Sequence, residues 1–351
     1  MLNIGIIGAG HIAISHLDAY KKSDECKVVA ISDLNEELAK DRAEKYDIEK
    51  IYVDYKDLLN DSSIDAVSIV TPTFTHKNIV IDALKSGKHV LCEKPPALNA
   101  IEVAECEKVA KETGKLLMFG FVCRFRAQQT YLKKFIDEGR MGKFINAACE
   151  RTSRCDLSIG WYSDRSKGGG ILKDACIHEI DTILYFMNYP KPVAVIATET
   201  FANSDLPTKM GAEGWESFDK SASKNDIETA IDGFVTLDNG ASIHVKAASV
   251  SNVITETRSI DMIGENAGAR IAPDENWKII LDILEIKDNE FVESQPEVTS
   301  TNGFYEMISH FIDCAANGTE CTATPDQAVI LMQVIDALYE SAKTGKPVVF
   351  E

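Results

Sequence analysis

The stretch IGIIGAGHIA, residues 4–13, places a short apolar run directly before two glycines and the start of an amphipathic segment. Residues 4–7 predict a buried strand, and HIAISHLDAY (11–20) predicts a helix. The same alternation continues through the first third of the chain. Further predicted strands are KVVAIS (27–32), IYV (51–53), AVSIV (66–70), HVLC (89–92) and LLMFGF (116–121). Strands rich in Val and Ile, separated by amphipathic helices, predict a doubly wound parallel sheet of the α/β class.

The turn between the first strand and the first helix carries the glycines of a nucleotide-binding loop. Gly8 and Gly10 let the chain turn tightly and let a pyrophosphate approach backbone N–H groups at the start of the helix. Ala13 stands at the third glycine position, which this fingerprint allows. Asp33 ends the second predicted strand, where an acidic residue accepts hydrogen bonds from the adenosine ribose. The alternative is a plain glycine turn, with Asp33 capping the next helix.

The same residues favour one dinucleotide over the other. A carboxylate at Asp33 repels a 2′-phosphate, and no arginine follows it in SDLNEE (32–37). NAD is therefore favoured over NADP as the cofactor. The predicted contacts from this part of the chain are Gly8, Gly10, His11, Ile12 and Asp33.

The order of predicted strands and helices changes after residue 122. Strand-like runs then follow one another without helices between them, which predicts a mostly antiparallel open sheet. In FVTLDNGASIHV (234–245), Asp238-Asn239-Gly240 separates two alternating runs and predicts a hairpin. We therefore predict a Rossmann domain over residues 1–122 and an α+β substrate and oligomerisation domain over 123–351. Residues 201–225, rich in Ser, Lys, Asp and Gly, predict a long surface loop.

Composition excludes several partners. A net charge of −18 opposes binding to nucleic acid or to an anionic membrane surface, because both require a basic footprint. The N-terminus shows no basic leader before an apolar run, and no stretch is apolar enough to cross a membrane. Nine cysteines without C-x-x-C spacing predict reduced, mostly buried thiols in a cytoplasmic protein. The seven histidines show no metal-like spacing with cysteine, so no metal site is predicted.

A second decisive stretch is GGGILKDACIHEID, residues 168–181. Three glycines precede a helix that is apolar nearly all round, which is typical of a buried helix. At about 100° per residue, Asp174, His178 and Asp181 fall on one narrow stripe of this helix. A buried, unpaired carboxylate is costly, so the stripe must face a partner or a cavity. The alternatives are a solvent-facing stripe and an internal Asp–His pair.

Two further motifs complete a pattern. CEKPP (92–96) follows the fifth predicted strand, and TPTFTH (71–76) follows the fourth. With the glycine loop and the GGGILKDACIHEID helix, they resemble the Gfo/Idh/MocA oxidoreductases, the glucose-fructose oxidoreductase and inositol dehydrogenase family. The resemblance spans nearly the whole chain. It implies a Rossmann domain followed by an α/β domain whose open sheet face commonly forms the subunit interface, and hence a homodimer or homotetramer.

The resemblance also implies roles for individual residues. Lys94, Asp174 and His178 match the catalytic residues of the family. The implied cofactor contacts are Thr71, Pro72, His76, Glu93 and Lys94. Arg124, Trp161 and Tyr162 match positions that touch substrate, with packing at the domain interface as the alternative. This chain departs from the family there, because many members carry Trp-Arg where Trp161-Tyr162 stands.

The predicted chemistry is oxidation of a secondary hydroxyl of a sugar, inositol or related polyol, or reduction of the ketone. Histidine titrates near neutral pH and suits the base that takes the hydroxyl proton as hydride leaves. Asp174 can orient the substrate or the imidazole, and Lys94 can stabilise developing alkoxide charge. One alternative is an enzyme that retains NAD while it cleaves glycosides or epimerises sugars. The other is a non-catalytic dinucleotide or sugar sensor.

Overall fold

The computed structural model describes residues 1–156, 160–201, 209–210, 226–249, 253–299 and 301–351. Its internal contacts divide the chain into two compact units. The first consists of Met1–Phe125 and Thr301–Val329, and the second of Arg126–Ser300 and Ile330–Glu351. The second unit therefore differs from the continuous 123–351 domain of the sequence analysis, since Thr301–Val329 packs with the first unit. Most of the predicted 201–225 loop lies outside the described residues.

The first unit is built on a six-stranded parallel sheet, as predicted. Its strands are β1 (Leu2–Ile7), β2 (Cys26–Ser32), β3 (Lys50–Tyr52), β4 (Ala66–Ile69), β5 (His89–Glu93) and β6 (Leu117–Gly120). They lie in the order β3-β2-β1-β4-β5-β6. The strand order reverses between β1 and β4, and open α/β sheets bind ligands at the carboxyl ends of the strands beside such a point. The core lies at the centre of this sheet, where every residue of β4 and the last four residues of β1 are buried.

Nine α-helices occur within the described residues. They are α1 (His11–Tyr20), α2 (Glu36–Tyr46), α3 (Tyr55–Asn60), α4 (Thr73–Lys85), α5 (Ala100–Thr113), α6 (Ala127–Asp137), α7 (Ile177–Phe186), α8 (Gly303–Asn317) and α9 (Pro325–Thr344). The first five follow the predicted alternation with the strands. In the first unit, α8 packs on α1, which explains why residues so late in the sequence belong there. None of the described helices combines the length and apolarity that crossing a bilayer requires.

The second unit contains a nine-stranded sheet in the order β16-β15-β14-β13-β7-β12-β11-β9-β17. Its strands are β7 (Phe144–Thr152), β9 (Pro192–Thr200), β11 (Ala230–Leu237), β12 (Ser242–Ala248), β13 (Thr257–Gly264), β14 (Ala267–Pro273), β15 (Ile279–Lys287), β16 (Glu290–Ser294) and β17 (Val348–Val349); β8 (Cys155–Asp156) and β10 (Lys209–Met210) pair separately. All neighbours are antiparallel except β7 and β12. The predicted hairpin joins β11 to β12. The mostly antiparallel sheet is therefore confirmed.

The two faces of this sheet differ. One face packs against the helix that starts at Ile171, as the contacts of that helix with β7, β12 and β13 show. The other face exposes large apolar side chains between charged ones. Its exposed apolar residues include Ile196, Phe234, Ile263, Leu284 and Ile286. A surface cleft of about 570 Å³ lies over β13, β14 and β15 on this sheet.

Candidate active site

The glycine loop turns tightly at Gly8 and leaves open space at Gly10. Gly8 has φ +104°, and a Cβ there would lie 2.9 Å from the Val70 carbonyl oxygen, so only glycine fits without strain. Gly10 differs, because a Cβ at this position would meet nothing within 4 Å. It directly precedes α1 and leaves open space at the helix N-terminus. His11 is exposed and Ile12 is partly exposed on the first turn of α1, beside that space.

Asp33 ties the glycine loop to the end of β2. Its Oδ2 accepts a hydrogen bond of 2.7 Å from the Ala9 N–H, and its Oδ1 accepts one of 2.8 Å from the Asn35 N–H. Asn35, not Asp33, caps α2 by accepting from the Leu38 N–H. The capping alternative is therefore wrong. Asp33 instead lines a cleft of about 530 Å³ with Gly8 and other residues of the first unit.

The TPTFTH segment forms another wall of this cleft and is braced from behind. Thr71 lines the cleft, and its hydroxyl lies 2.7 Å from that of Thr75. Pro72 is the residue before α4 and is partly exposed. His76, a predicted cofactor contact, is fully buried: its Nδ1 lies 2.8 Å from the Pro95 carbonyl oxygen and its Nε2 2.7 Å from that of Thr71. Burial lowers the pKa of His76, and its imidazole joins the Thr71 loop to the EKPP loop.

The EKPP loop presents one partly exposed side chain. Between Leu91 and Ala97 every residue is buried except Lys94. The Lys94–Pro95 peptide bond is cis. Glu93 is only 5% exposed, and its Oε2 accepts from the Lys94 N–H at 3.0 Å.

Glu93 is held by a buried partner. The His16 Nε2 lies 2.9 Å from the Glu93 Oε1, and His16 itself has no exposed surface. Gly120 on β6 makes room for this carboxylate, because a Cβ there would lie 2.9 Å from the Glu93 Oε1. Glu93 therefore supports the backbone of Lys94 from inside the first unit. His16 is not among the residues predicted from the sequence, since nothing in the local pattern distinguishes it from a core residue of α1.

In the second unit, the helix after the glycines begins with a wide turn. Ile171–Cys176 is a π-helix that continues into α7, an irregularity often found at functional sites. Across residues 171–184, only Asp174 and His178 are partly exposed. Asp181 is 1% exposed and accepts a hydrogen bond from the Tyr189 hydroxyl. Of the predicted stripe, Asp181 therefore faces a partner inside the second unit, and only Asp174 and His178 are partly exposed.

The glycine run lets this helix start against two close neighbours. A Cβ on Gly169 would lie 2.0 Å from the Tyr162 carbonyl oxygen. A Cβ on Gly170, which has φ +115°, would lie 2.7 Å from both carboxylate oxygens of Glu228. Glu228 has no exposed surface and accepts hydrogen bonds from the Leu172 N–H at 3.0 Å and the Tyr339 hydroxyl at 2.9 Å. A buried carboxylate thus anchors the N-terminal end of the helix that carries Asp174 and His178.

Both units match the sequence family that the motifs indicated. Residues 2–121 match the family described as "Oxidoreductase family, NAD-binding Rossmann fold", and residues 133–350 match "Oxidoreductase family, C-terminal alpha/beta domain". The chain belongs to the Gfo/Idh/MocA oxidoreductase family. Membership confirms the resemblance and the predicted fold class, and it agrees with a dinucleotide site at the glycine loop.

Relatives within the Gfo/Idh/MocA family align over nearly the full chain. One is the D-glucoside 3-dehydrogenase of Escherichia coli K12, with 26% identity over 98% of this chain and 96% of the relative. Another is the scyllo-inositol 2-dehydrogenase (NAD(+)) of Bacillus subtilis 168, with 27% identity over 98% and 94%. The solved structure of aldose-aldose oxidoreductase from Caulobacter crescentus shares the fold, with a TM-score of 0.83, 22% identity and 99% coverage of both chains.

The predicted substrate residues of this Gfo/Idh/MocA protein differ in their surroundings. Arg124 is 3% exposed; its guanidinium donates to the Thr322 carbonyl oxygen and to the Gln327 Oε1, and it stacks over Phe121. These contacts hold Arg124 inside the first unit, and its role as a substrate contact stays a prediction. Trp161 and Tyr162 are partly exposed, and their rings stack with centroids 3.8 Å apart. They stay predictions as substrate contacts.

Glu228 gives a testable pH dependence. Burial raises the pKa of this carboxyl, so the folded state favours the protonated form. The stability that the raised pKa contributes is present at low pH and is lost as the pH rises through the folded-state pKa. The side chain in Glu228→Gln cannot ionise. The unfolding midpoint of this variant is therefore expected not to show the fall between pH 5 and pH 8 that the wild type shows.

The matched control is Glu290→Gln at an exposed position on β16, which should follow the wild type at both pH values. Glu228→Ala removes the acceptor for Leu172 and Tyr339 and is expected to cost about 1–3 kcal/mol of unfolding free energy. Denaturant unfolding at the two pH values measures both effects. A wild-type stability that falls no more than that of Glu228→Gln would show that Glu228 does not titrate in this range.

Proposed function

We propose that this chain is an NAD-dependent dehydrogenase that oxidises a secondary hydroxyl of a sugar, cyclitol or related polyol, or reduces the corresponding ketone. The observation that carries the proposal is that two buried segments each expose only ionisable side chains. Lys94 is the one partly exposed residue of 91–97, and Asp174 and His178 are the two of 171–184. Ionisable side chains that emerge alone from buried segments are candidates for substrate contact. The names of the full-length relatives, which are dehydrogenases of glucosides and inositols, agree with this substrate class.

The three side chains divide the chemistry between them. His178 accepts the proton of the reacting hydroxyl as general base. Asp174, four residues earlier, hydrogen-bonds the substrate or the imidazole and favours the charged form that the histidine reaches. Lys94 acts on the same hydroxyl in this proposal, and its ammonium stabilises the negative charge that grows on oxygen as the proton leaves.

The residues of the first unit fit the proposed cofactor. The open space beside Gly10 would accommodate a pyrophosphate, whose charge the N-terminus of α1 would stabilise. Asp33 borders the cleft at the position from which a carboxylate contacts ribose hydroxyls and disfavours a 2′-phosphate. NAD bound there supplies the hydride acceptor. His76 and Glu93 are buried, so we propose that they position the Thr71 and Lys94 loops instead of contacting the cofactor directly.

The experiment that tests this proposal is a spectrophotometric screen. Purified protein is incubated with NAD or NADP and a panel of inositols, aldoses, glucosides and other polyols. NADH formation with at least one polyol, and slower turnover with NADP, is the expected result. Consumption of substrate without net NADH would favour the NAD-retaining alternative. Binding of NAD and sugar without turnover across the panel would contradict the dehydrogenase and favour the sensor.

We further propose a cytoplasmic homo-oligomer. All eight cysteines whose side chains are described are free thiols, which agrees with a reducing compartment. The partner surface in this proposal is the exposed face of the large sheet. Phe234 is 44% exposed and pairs across the ladders with Ile196, which is 50% exposed. A second copy would cover these apolar side chains, as expected for a patch of this kind. Sedimentation of the wild type as a monomer would contradict this assembly.

A further inference from the structure

Three potential metal ligands come together at the end of α8, although the sequence analysis predicted no cluster of histidine with cysteine. His310 and Cys314 are four residues apart on the helix and therefore share one face. Cys321 follows three residues after Gly318, where α8 ends. The two sulfur atoms and one imidazole nitrogen all lie within 4.8 Å of one another. The cluster forms because the chain after α8 turns back and brings Cys321 beside the i, i+4 pair of His310 and Cys314.

We propose that His310, Cys314 and Cys321 form a binding site for a soft divalent cation of the Zn²⁺ class. Zinc bonds of about 2.3 Å to sulfur and 2.0–2.1 Å to nitrogen place tetrahedral ligand atoms roughly 3.5–3.8 Å apart. The His310 Nε2 and Cys314 Sγ are 3.4 Å apart. Shifts of an ångström or less would therefore bring all three ligands to bonding distance. Two thiolates and one imidazole are a donor set that selects zinc over hard cations such as Mg²⁺.

The tautomer of His310 suits a metal. The backbone N–H of Thr322 points at the His310 Nε2 from 3.1 Å and can only donate, so Nε2 carries the lone pair. The same nitrogen faces the Cys314 sulfur. A bound cation would replace the Thr322 N–H as the partner of this lone pair. The two thiols would lose their protons to solvent on binding, and the cation with two thiolates would then carry no net charge.

The surroundings suggest what the cation would do. The chain after Cys321 is already held in the first unit, because Ala323 accepts a hydrogen bond from the Phe119 N–H at 3.1 Å, and Arg124 contacts Thr322. A cation would join the end of α8 to this same loop. Its role would be to stabilise the first unit, and it takes no part in the proposed dehydrogenase reaction.

The test uses the reduced full-length protein with Zn²⁺ alone, followed by Co²⁺ as a spectroscopic probe. We expect one equivalent of Zn²⁺ to bind and to raise the unfolding midpoint, with reversal by a chelator. Co²⁺ should give a sulfur-to-metal charge-transfer band, which requires thiolate ligands. Cys321→Ser changes a ligand that is only partly buried, and it is expected to weaken Zn²⁺ binding about 100-fold or more and to reduce the band.

Cys26→Ser is the matched control, because it removes another mostly buried thiol of the first unit whose sulfur contacts the Tyr20 carbonyl oxygen. It should bind Zn²⁺ as the wild type does. Two results would overturn the proposal: wild-type protein that takes up no stoichiometric Zn²⁺, and a Co²⁺ complex without the charge-transfer band. Both results are measured on the wild-type protein, so they test the proposal even where a variant folds poorly. Dehydrogenase activity is not part of the readout.

Discussion

His178→Ala and Lys94→Ala are each expected to lower kcat with the best polyol by about 10²–10⁴-fold, while the Kd for NAD changes little. Loss of His178 removes the base that takes the hydroxyl proton, so the variant should also lose the pH dependence that a histidine base gives to kcat/KM. Loss of Lys94 removes a charge that stabilises the transition state more than the ground state, which lowers kcat more than it raises KM.

A matched substitution separates catalysis from a general effect of losing charge. Lys85→Ala is the control, because it removes an exposed lysine at the end of α4. It should keep wild-type turnover. Steady-state kinetics with NADH absorbance, together with NAD titrations by fluorescence, measure the two effects. Full turnover in His178→Ala or in Lys94→Ala would remove that residue from the proposed chemistry.

The sequence predicted the fold well because β4, β5 and β6 of the first unit are buried nearly throughout, on both faces. Such strands are short continuous apolar runs, and glycine or charged residues mark their ends, so AVSIV and HVLC coincide with β4 and β5 within a residue. The strands of the second unit alternate instead, and the Asp238–Gly240 turn identified one hairpin correctly. The return of Thr301–Val329 to the first unit was not predicted. Helix α8 has no local feature that indicates which of the two units its apolar face packs against.

The candidate site was predicted less completely, since several of its parts depend on contacts between distant residues. Glu228 lies 56 residues from Leu172, and nothing near it in sequence shows that it anchors the helix of Asp174. Asp181 follows His178 on the same regular α-helix, and its burial against the Tyr189 hydroxyl could not be derived from the helical wheel. Motif resemblance identified the Glu93 position, but its inward orientation follows from His16 and could not be derived from the motif.

Gly10→Ala is expected to weaken NAD binding by about 10- to 100-fold while the stability of the protein without NAD is unchanged. A Cβ at this position enters open space, and the φ of −64° suits alanine, so the folded chain accepts the methyl group without strain. The methyl group would occupy the space through which a pyrophosphate reaches the N-terminus of α1. The loss of binding corresponds to about 1.4–2.8 kcal/mol, the range of one or two hydrogen bonds to a charged group.

Two other glycines make the interpretation of Gly10→Ala specific. Gly268→Ala on β14 meets its nearest atom at an ordinary 3.5 Å and lies in the second unit, so neither NAD binding nor stability should change. Gly8→Ala forces alanine to φ +104° against the Val70 carbonyl and should lower the unfolding midpoint as well as the affinity. Isothermal titration with NAD and thermal unfolding without it distinguish the three variants. If Gly10→Ala bound NAD as tightly as Gly268→Ala does, the pyrophosphate would have to lie elsewhere, and the cofactor site would no longer follow from the glycine loop.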